Sequence, residues 1–238
     1  MNTLLVDDER LARQELRRLL ADHADITIVG EAVNADDAVT RLEDASIDLV
    51  FLDIQMPGGS GFDVLECLER VPLVVFTTAF DEYAVRAFEV NAFDYLMKPV
   101  RPERLASVLD RTRTALSTAR DTRPERPSLS TGRVFLRDGE RCWIVLWADI
   151  VLFEVEGNYA RAYFGSNRPL IRASLNALEA KLDPALFFRA SRQHIVNLRF
   201  IESVETAPDD TYIIHLKNWS EVPVSRRQSR QLRESLGL

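Results

Sequence analysis

Four residues in the first half of the chain have the types and placement to act together on a phosphoryl group. Asp53 ends a short apolar run, Leu49-Val50-Phe51-Leu52; Asp7-Asp8 ends an earlier one, Thr3-Leu4-Leu5-Val6; and Lys98 stands just before Pro99 after a third, Phe93 to Met97. Three crowded carboxylates repel one another, and without compensation one of them tends to hold a proton. A divalent cation resolves the conflict, and oxygen-only donors of this kind suit Mg²⁺, which also binds phosphate. Asp53 is then placed to attack a phosphoryl group and form an acyl phosphate. Phosphoryl transfer needs positioning and charge neutralisation more than it needs bond-making groups, and Lys98 supplies positive charge. A hydroxyl at Thr78 can hydrogen-bond the phosphoryl oxygens, and the small Ala79 leaves access. Taken singly, an aspartate at a strand end is more often a helix cap or turn residue, and Lys-Pro is an ordinary loop. The joint occurrence at successive strand ends is what argues for a site.

The elements that must position these residues are legible. Residues 1–118 alternate strand-like runs (Thr3–Val6, Ile26–Glu31, Leu49–Leu52, Leu73–Thr77, Phe93–Met97) with helical patterns (Glu9–Ala21, Ala35–Glu43, Gly61–Glu69, Glu82–Val90, Pro102–Leu116). The strand runs are continuously apolar, as a parallel sheet covered on both faces requires. The expected fold is a five-stranded, doubly wound α/β domain, whose active crevice lies at the C-terminal strand ends where strand order reverses. Asp7, Asp8, Asp53, Thr78 and Lys98 all fall at such ends.

Residues 119–132 are polar, with two prolines and no periodicity, and read as a linker. From 133 to 238 the pattern turns to short β segments separated by turn signals such as Asp138-Gly139 and Glu156-Gly157-Asn158, with helical patterns only at Leu175–Leu182 and Arg226–Leu236. A second, mostly antiparallel β domain is expected. It shows no catalytic constellation and no zinc-ligand spacing. It does carry Arg189, Arg192, Arg226, Arg227, Arg230 and Arg233, of which 226, 230 and 233 share a helix face. Such a set either snorkels over the sheet or contacts phosphates and base edges.

The net charge of −7 hides an asymmetry: 22 acidic and 12 basic residues in 1–118 give −10, whereas 15 and 18 in the remainder give +3. Only the second half is suited to meet a polyanion. No run is long and apolar enough to cross a membrane, and the N-terminus turns acidic at once, unlike a signal peptide. Cys67 and Cys142, assigned to different domains, read as free thiols, and a cytoplasmic location is expected.

Residues 1–118 resemble a response-regulator receiver domain, through Val6-Asp7-Asp8-Glu9, Leu52-Asp53-Ile54-Gln55-Met56-Pro57 with Gly61, Thr77-Thr78-Ala79 and Tyr95-Leu96-Met97-Lys98-Pro99. The resemblance implies Asp53 as phosphoacceptor. It implies Mg²⁺ held by Asp8, Asp53 and the Gln55 carbonyl, with Asp7 acting mainly through water. Thr78 and Tyr95 are implied as a switch pair. Residues 134–238 resemble the LytTR DNA-binding domain, through Val155-Glu156-Gly157-Asn158-Tyr159-Ala160-Arg161, Phe187-Phe188-Arg189-Ala190-Ser191-Arg192-Gln193-His194-Ile195-Val196-Asn197 and Val222-Pro223-Val224-Ser225-Arg226-Arg227. That implies DNA contacts from loops, with Asn158, Tyr159, Arg161, Arg192 and Arg227 facing the duplex, Arg189 and Arg226 counted with them as DNA-binding residues, and Asn197 holding its loop together. The whole chain is thus expected to be a LytTR-type response regulator and not an enzyme, beyond slow loss of its own phosphoryl group. Its expected partners are a sensor histidine kinase, double-stranded promoter DNA and, once phosphorylated, a second copy of itself. The alternative is a receiver fused to a protein- or RNA-binding β domain.

Overall fold

Continuously apolar strands are stable only inside a sheet covered on both faces, and the first half folds that way. The computed structural model describes residues 1–44, 46–79, 93–121, 132–217 and 221–236. Strands β1 (Asn2–Val6), β2 (Thr27–Ala32), β3 (Leu49–Asp53), β6 (Leu73–Thr78) and β7 (Asp94–Met97) pair in parallel in the order β2-β1-β3-β6-β7. Helices α1 (Arg10–Leu20), α2 (Ala35–Leu42), α3 (Gly61–Glu66) and α4 (Pro102–Asp121) alternate with them. Side chains alternate across the sheet. Leu4, Val6, Val50, Leu52 and Phe76 join a core with Ala38 of α2 and Leu65 of α3. Leu5, Phe51 and Val75 join another with Leu16 and Leu19 of α1 and Leu105 and Val108 of α4. Phe51 is fully buried, so truncating it to alanine costs roughly 3–5 kcal/mol. The expected helix 82–90 lies outside the described residues.

Strand order reverses at β1, which lies between β2 and β3. The crevice is therefore at the C-terminal ends of β1 and β3, where Asp7 and Asp53 stand. A two-residue ladder, β4 (Gln55–Met56) with β5 (Gly59–Ser60), follows β3 and leads into α3. Ser60 and Asp63 form a reciprocal capping box there. Gly61 has no room for a side chain, since a Cβ would lie 2.5 Å from the Asp53 carbonyl oxygen. That close approach seats α3 directly against the strand carrying Asp53.

Among the described residues the chain divides into two compact units, 1–121 with 132–145 and 146–236. Two details differ from the expected boundaries at 118 and 133. Helix α4 continues to Asp121. The hairpin β8 (Arg133–Asp138) and β9 (Arg141–Leu146) packs into the first unit, not the second. Phe135, Cys142 and Ile144 join the core beneath α3. The Val71 N–H donates to the Arg133 carbonyl at 3.0 Å, and Arg137 pairs with Asp63 at 2.9 Å and Glu66 at 3.2 Å. The two free thiols, exposed Cys67 and buried Cys142, accordingly lie in one unit.

The second unit is mostly antiparallel. Strands β10 (Leu152–Glu156), β11 (Tyr159–Tyr163), β12 (Leu170–Ile171), β13 (Phe187–Arg189) and β14 (His194–Asn197) form a sheet in the order β12-β11-β10-β14-β13. Strands β15 (Ile201–Thr206), β16 (Tyr212–Leu216) and β17 (Glu221–Pro223) form a second. Helix α5 (Leu175–Lys181) is capped by Ser174, and α6 (Arg226–Leu236) buries Leu232 in a core with Ile214, Val222 and Val224.

Candidate functional site and nucleic-acid interface

The parallel sheet brings the predicted acidic residues together. Asp7 and Asp53 are buried at the ends of β1 and β3, Asp8 is exposed beside them, and ligand oxygens of all three lie within 4.8 Å of one another. Lys98, just beyond β7, reaches in until its Nζ lies 2.7 Å from Asp7 Oδ2 and 2.7 Å from Asp53 Oδ2. Asp53 Oδ1 accepts the Gln55 N–H at 3.2 Å. Burial pushes the Asp53 carboxyl above its ordinary range, with repulsion from Asp7 adding to it, and the Lys98 bond offsets only part of the rise. Burial also opposes the charge on Lys98, but its bonds to Asp53 and Asp7 prevail and raise its pKa. The pocket is short of positive charge and rich in hard oxygen donors, which is what a small divalent cation needs. Asp7, Asp8 and Asp53 could hold a metal ion.

The acidic loop is fixed by a residue that its sequence did not mark. Arg13 of α1 is buried, and its Nη1 donates to the backbone carbonyls of Asp7 at 2.7 Å and Asp8 at 3.3 Å. Its Nε donates to Glu31 at 2.9 Å, and Arg17 bonds the same carboxylate. Hydrogen bonds from Arg17 and then Arg13 hold Glu31 below the usual carboxylate range. The spacing Asp7…Arg13 spans the first turns of α1, and that is the only signal the sequence offers.

Thr78 is buried at the end of β6, opposite Met97, and its carbonyl accepts the Lys98 N–H at 2.8 Å. Its neighbour Thr77 is in register with Asp53. Tyr95 is half-buried on β7 with the Arg104 guanidinium 5.6 Å from its ring centre. Asp94 beside it is buried and paired with both Arg104 and Arg111 of α4.

The arginines of the second unit separate into two groups. Arg161 braces its own hairpin, donating from Nε to Glu156 at 2.6 Å and from Nη1 to the Arg168 carbonyl at 2.7 Å. Arg189 folds back on the turn that follows it, and Arg233 lies over the Tyr212 ring while donating to its hydroxyl at 3.0 Å. By contrast Arg192, Arg227 and Arg230 are exposed and make no side-chain hydrogen bond or ion pair among the described residues. Arg226 is 82% exposed and 3.9 Å from Asp209. Asn158 and Tyr159 sit exposed at the β10–β11 turn, which Gly157 closes at a φ of 62°. Asn197 is fully buried and donates to the carbonyls of Ala148 and Ile150 at 3.1 and 2.8 Å, clasping its segment from within.

Three segments distant in sequence meet here. The Val155 N–H donates to the Gln193 carbonyl, and the Ser225 N–H to the Ala190 carbonyl, each at 2.9 Å. The exposed arginines at 192 and 227 and the turn at 158–159 are thereby joined through one backbone network.

Comparison with known proteins agrees with both units. The response regulator receiver domain family matches residues 3–110, and the LytTr DNA-binding domain family matches residues 140–237. The latter match begins at the turn of the hairpin that packs with the first unit. The sensory transduction protein LytT of Enterococcus faecalis is 34% identical over 241 residues, covering all of both chains. The transcriptional regulatory protein BtsR of Escherichia coli is 36% identical over 242 residues, again covering both completely. A response regulatory protein of Vibrio cholerae is 37% identical over 244 residues, covering 100% of this chain and 99% of its own.

Proposed function

This chain belongs to the response regulators that join a receiver domain to a LytTR DNA-binding domain, and on that premise we propose that a phosphoryl group on Asp53, received from a sensor histidine kinase, controls its binding to promoter DNA. The observation that carries the reading is the convergence of Asp7, Asp8, Asp53 and Lys98 from separate strand ends into one pocket.

An Asp53 carboxylate oxygen attacks the phosphorus of a phosphohistidine. The P–O bond forms as the P–N bond breaks, and the imidazole leaves with the electron pair. Asp8, Asp53 and the Gln55 carbonyl would hold Mg²⁺, with Asp7 beside them; when bound, the ion neutralises charge on the carboxylates and the arriving phosphoryl oxygens. Lys98 supplies a second positive charge, already aimed at Asp53 Oδ2. Arg13 keeps the Asp7 and Asp8 backbone from drifting. The acyl phosphate then draws the Thr78 hydroxyl inward, and Tyr95 follows into the space vacated. The change reaches the face made by β7 and α4, where a second copy docks. Two output domains on one duplex bind far more tightly than one through effective concentration. On DNA, the 158–159 turn, Arg192 and Arg227 supply the contacts.

Incubation with acetyl phosphate and Mg²⁺ tests the acceptor: wild type becomes a phosphoprotein whose label is released by alkali and by hydroxylamine, and Asp53→Asn does not. Equal labelling of the variant would contradict the assignment. Duplex RNA competing as well as duplex DNA would favour an RNA-binding output instead.

A further inference from the structure

The turn joining β13 to β14 has an unusual backbone arrangement. Each of its four consecutive carbonyls is occupied by a donor from outside the turn's own backbone. Ala190 O accepts the Ser225 N–H at 2.9 Å and Gln193 O accepts the Val155 N–H at 2.9 Å. Between them, Ser191 O accepts Arg189 Nε at 2.6 Å and Arg192 O accepts Arg189 Nη2 at 3.2 Å. The third arm of the same guanidinium, Nη1, lies 3.3 Å from Glu179 of α5. With its side chain only 12% exposed, Arg189 has its planar fork committed to protein acceptors.

From this geometry we propose that Arg189 is a positioning residue for the DNA-reading surface, holding Arg192 in place without itself touching a nucleotide. This rests on the reading of the output half as a DNA binder. Sequence alone grouped Arg189 with the contacting arginines; its hydrogen bonds place it one step behind them. A turn of four residues between strands has few internal bonds, and here, among the described residues, those are the Ala190 and Ser191 N–H groups to His194 O, at 3.0 and 3.3 Å, the Gln193 N–H to Ser191 Oγ at 3.1 Å, and a bond between Ser191 Oγ and His194 Nδ1 at 3.3 Å. They fix the N–H side of the turn. The carbonyl side at Ser191 and Arg192 is fixed by Arg189 alone among the described residues. Two consequences follow. The Cα of Arg192 is held where its exposed guanidinium projects, which lowers the entropy lost when it grips a base or phosphate. Two carbonyl oxygens that would otherwise repel a nearby phosphate are bonded to a cation. Lysine cannot do this, because its ammonium is a point donor on a flexible stem, whereas the two carbonyls need separate donors in one plane.

The test uses the full chain and two duplexes: the sequence the wild type enriches most from a random duplex pool, and a scrambled version of it. For wild type, Arg189→Lys and Arg189→Gln, affinity for each is measured across a salt series, with thermal melts confirming folding. Positioning predicts that both variants lose about tenfold in the specific-to-scrambled ratio, comparable to loss of one base-reading arginine, while the salt slope stays that of wild type. A direct phosphate contact predicts instead that Arg189→Gln flattens the slope by about 0.9 while Arg189→Lys keeps it; that result overturns the proposal. So does an unchanged ratio in either folded variant. If the wild type enriches no duplex, the DNA reading itself fails and takes the proposal with it.

Discussion

The two units hold their functional loops by the same device and load them in opposite ways. In the first, Arg13 grips the carbonyls of Asp7 and Asp8; in the second, Arg189 grips those of Ser191 and Arg192. Both arginines also lean on a glutamate, Glu31 and Glu179. The difference lies in the charges presented. The acidic loop crowds like charges in a buried pocket, where burial first and Asp7 second raise the Asp53 pKa and Lys98 offsets part of the rise. The basic surface exposes its arginines to water, which screens like charges so that they cost little. The first site is electrostatically incomplete by itself, and on the proposed reading a cation supplies the missing positive charge. The second is complete in itself and waits only for a polyanion.

The largest expected effect breaks the acidic side. Lys98→Ala removes the cation shared by Asp7 and Asp53 and lowers the rate of labelling by acetyl phosphate about 100-fold, as loss of one preorganised electrostatic group does elsewhere; a rate within a few-fold of wild type would show that the pocket is not short of charge. On the basic side, Arg192→Ala or Arg227→Ala costs about tenfold in preference for the enriched duplex over its scrambled form. Because these side chains are exposed, their melting temperature stays unchanged, which separates contact from packing. Arg13→Ala sharpens the parallel between the braces: Mg²⁺ affinity falls about tenfold, as for other residues that orient metal ligands, read by isothermal titration. The same variant alters acid stability. Glu31 is held below its ordinary range by Arg17 and Arg13, so its contribution is present above the unfolded-state pKa and is lost as pH falls through the lower folded one. Arg13→Ala narrows that window, which melts taken across the acid range would detect. The smallest effect is Arg161→Ala. Its bonds to exposed Glu156 and to the Arg168 carbonyl are screened by solvent, so the melting temperature falls only slightly, with little change in DNA preference.

Much of the first unit was legible because its signals are strong and local. Apolar runs such as Leu49–Leu52 announce buried strands, and parallel topology obliges their C-terminal ends to converge. Asp7, Asp53 and Lys98 followed from that rule. Arg13 did not, because a basic residue in a helix looks like solvated surface until the fold turns it toward two carbonyls. The β8–β9 hairpin was found, but its packing partner was not. The continuous apolar run Val134–Leu136, buried at all three positions, specifies a covered strand and says nothing about which core covers it. Strand β13, at three residues, Phe187–Arg189, is too short to show a period. Arg161 and Arg189 looked the same as Arg192 and Arg227, since composition counts guanidinium groups and only three-dimensional structure shows where their donors go.

The central proposal is that chemistry at Asp53 governs contact at the arginines of the second unit. It is tested most directly by measuring affinity of the full chain for its enriched duplex, with Mg²⁺, before and after treatment with acetyl phosphate, in wild type and in Asp53→Asn. The account predicts that phosphodonor tightens binding of the wild type and leaves the variant unchanged. Binding that is equally tight in all four conditions, or that responds equally in the variant, would contradict it.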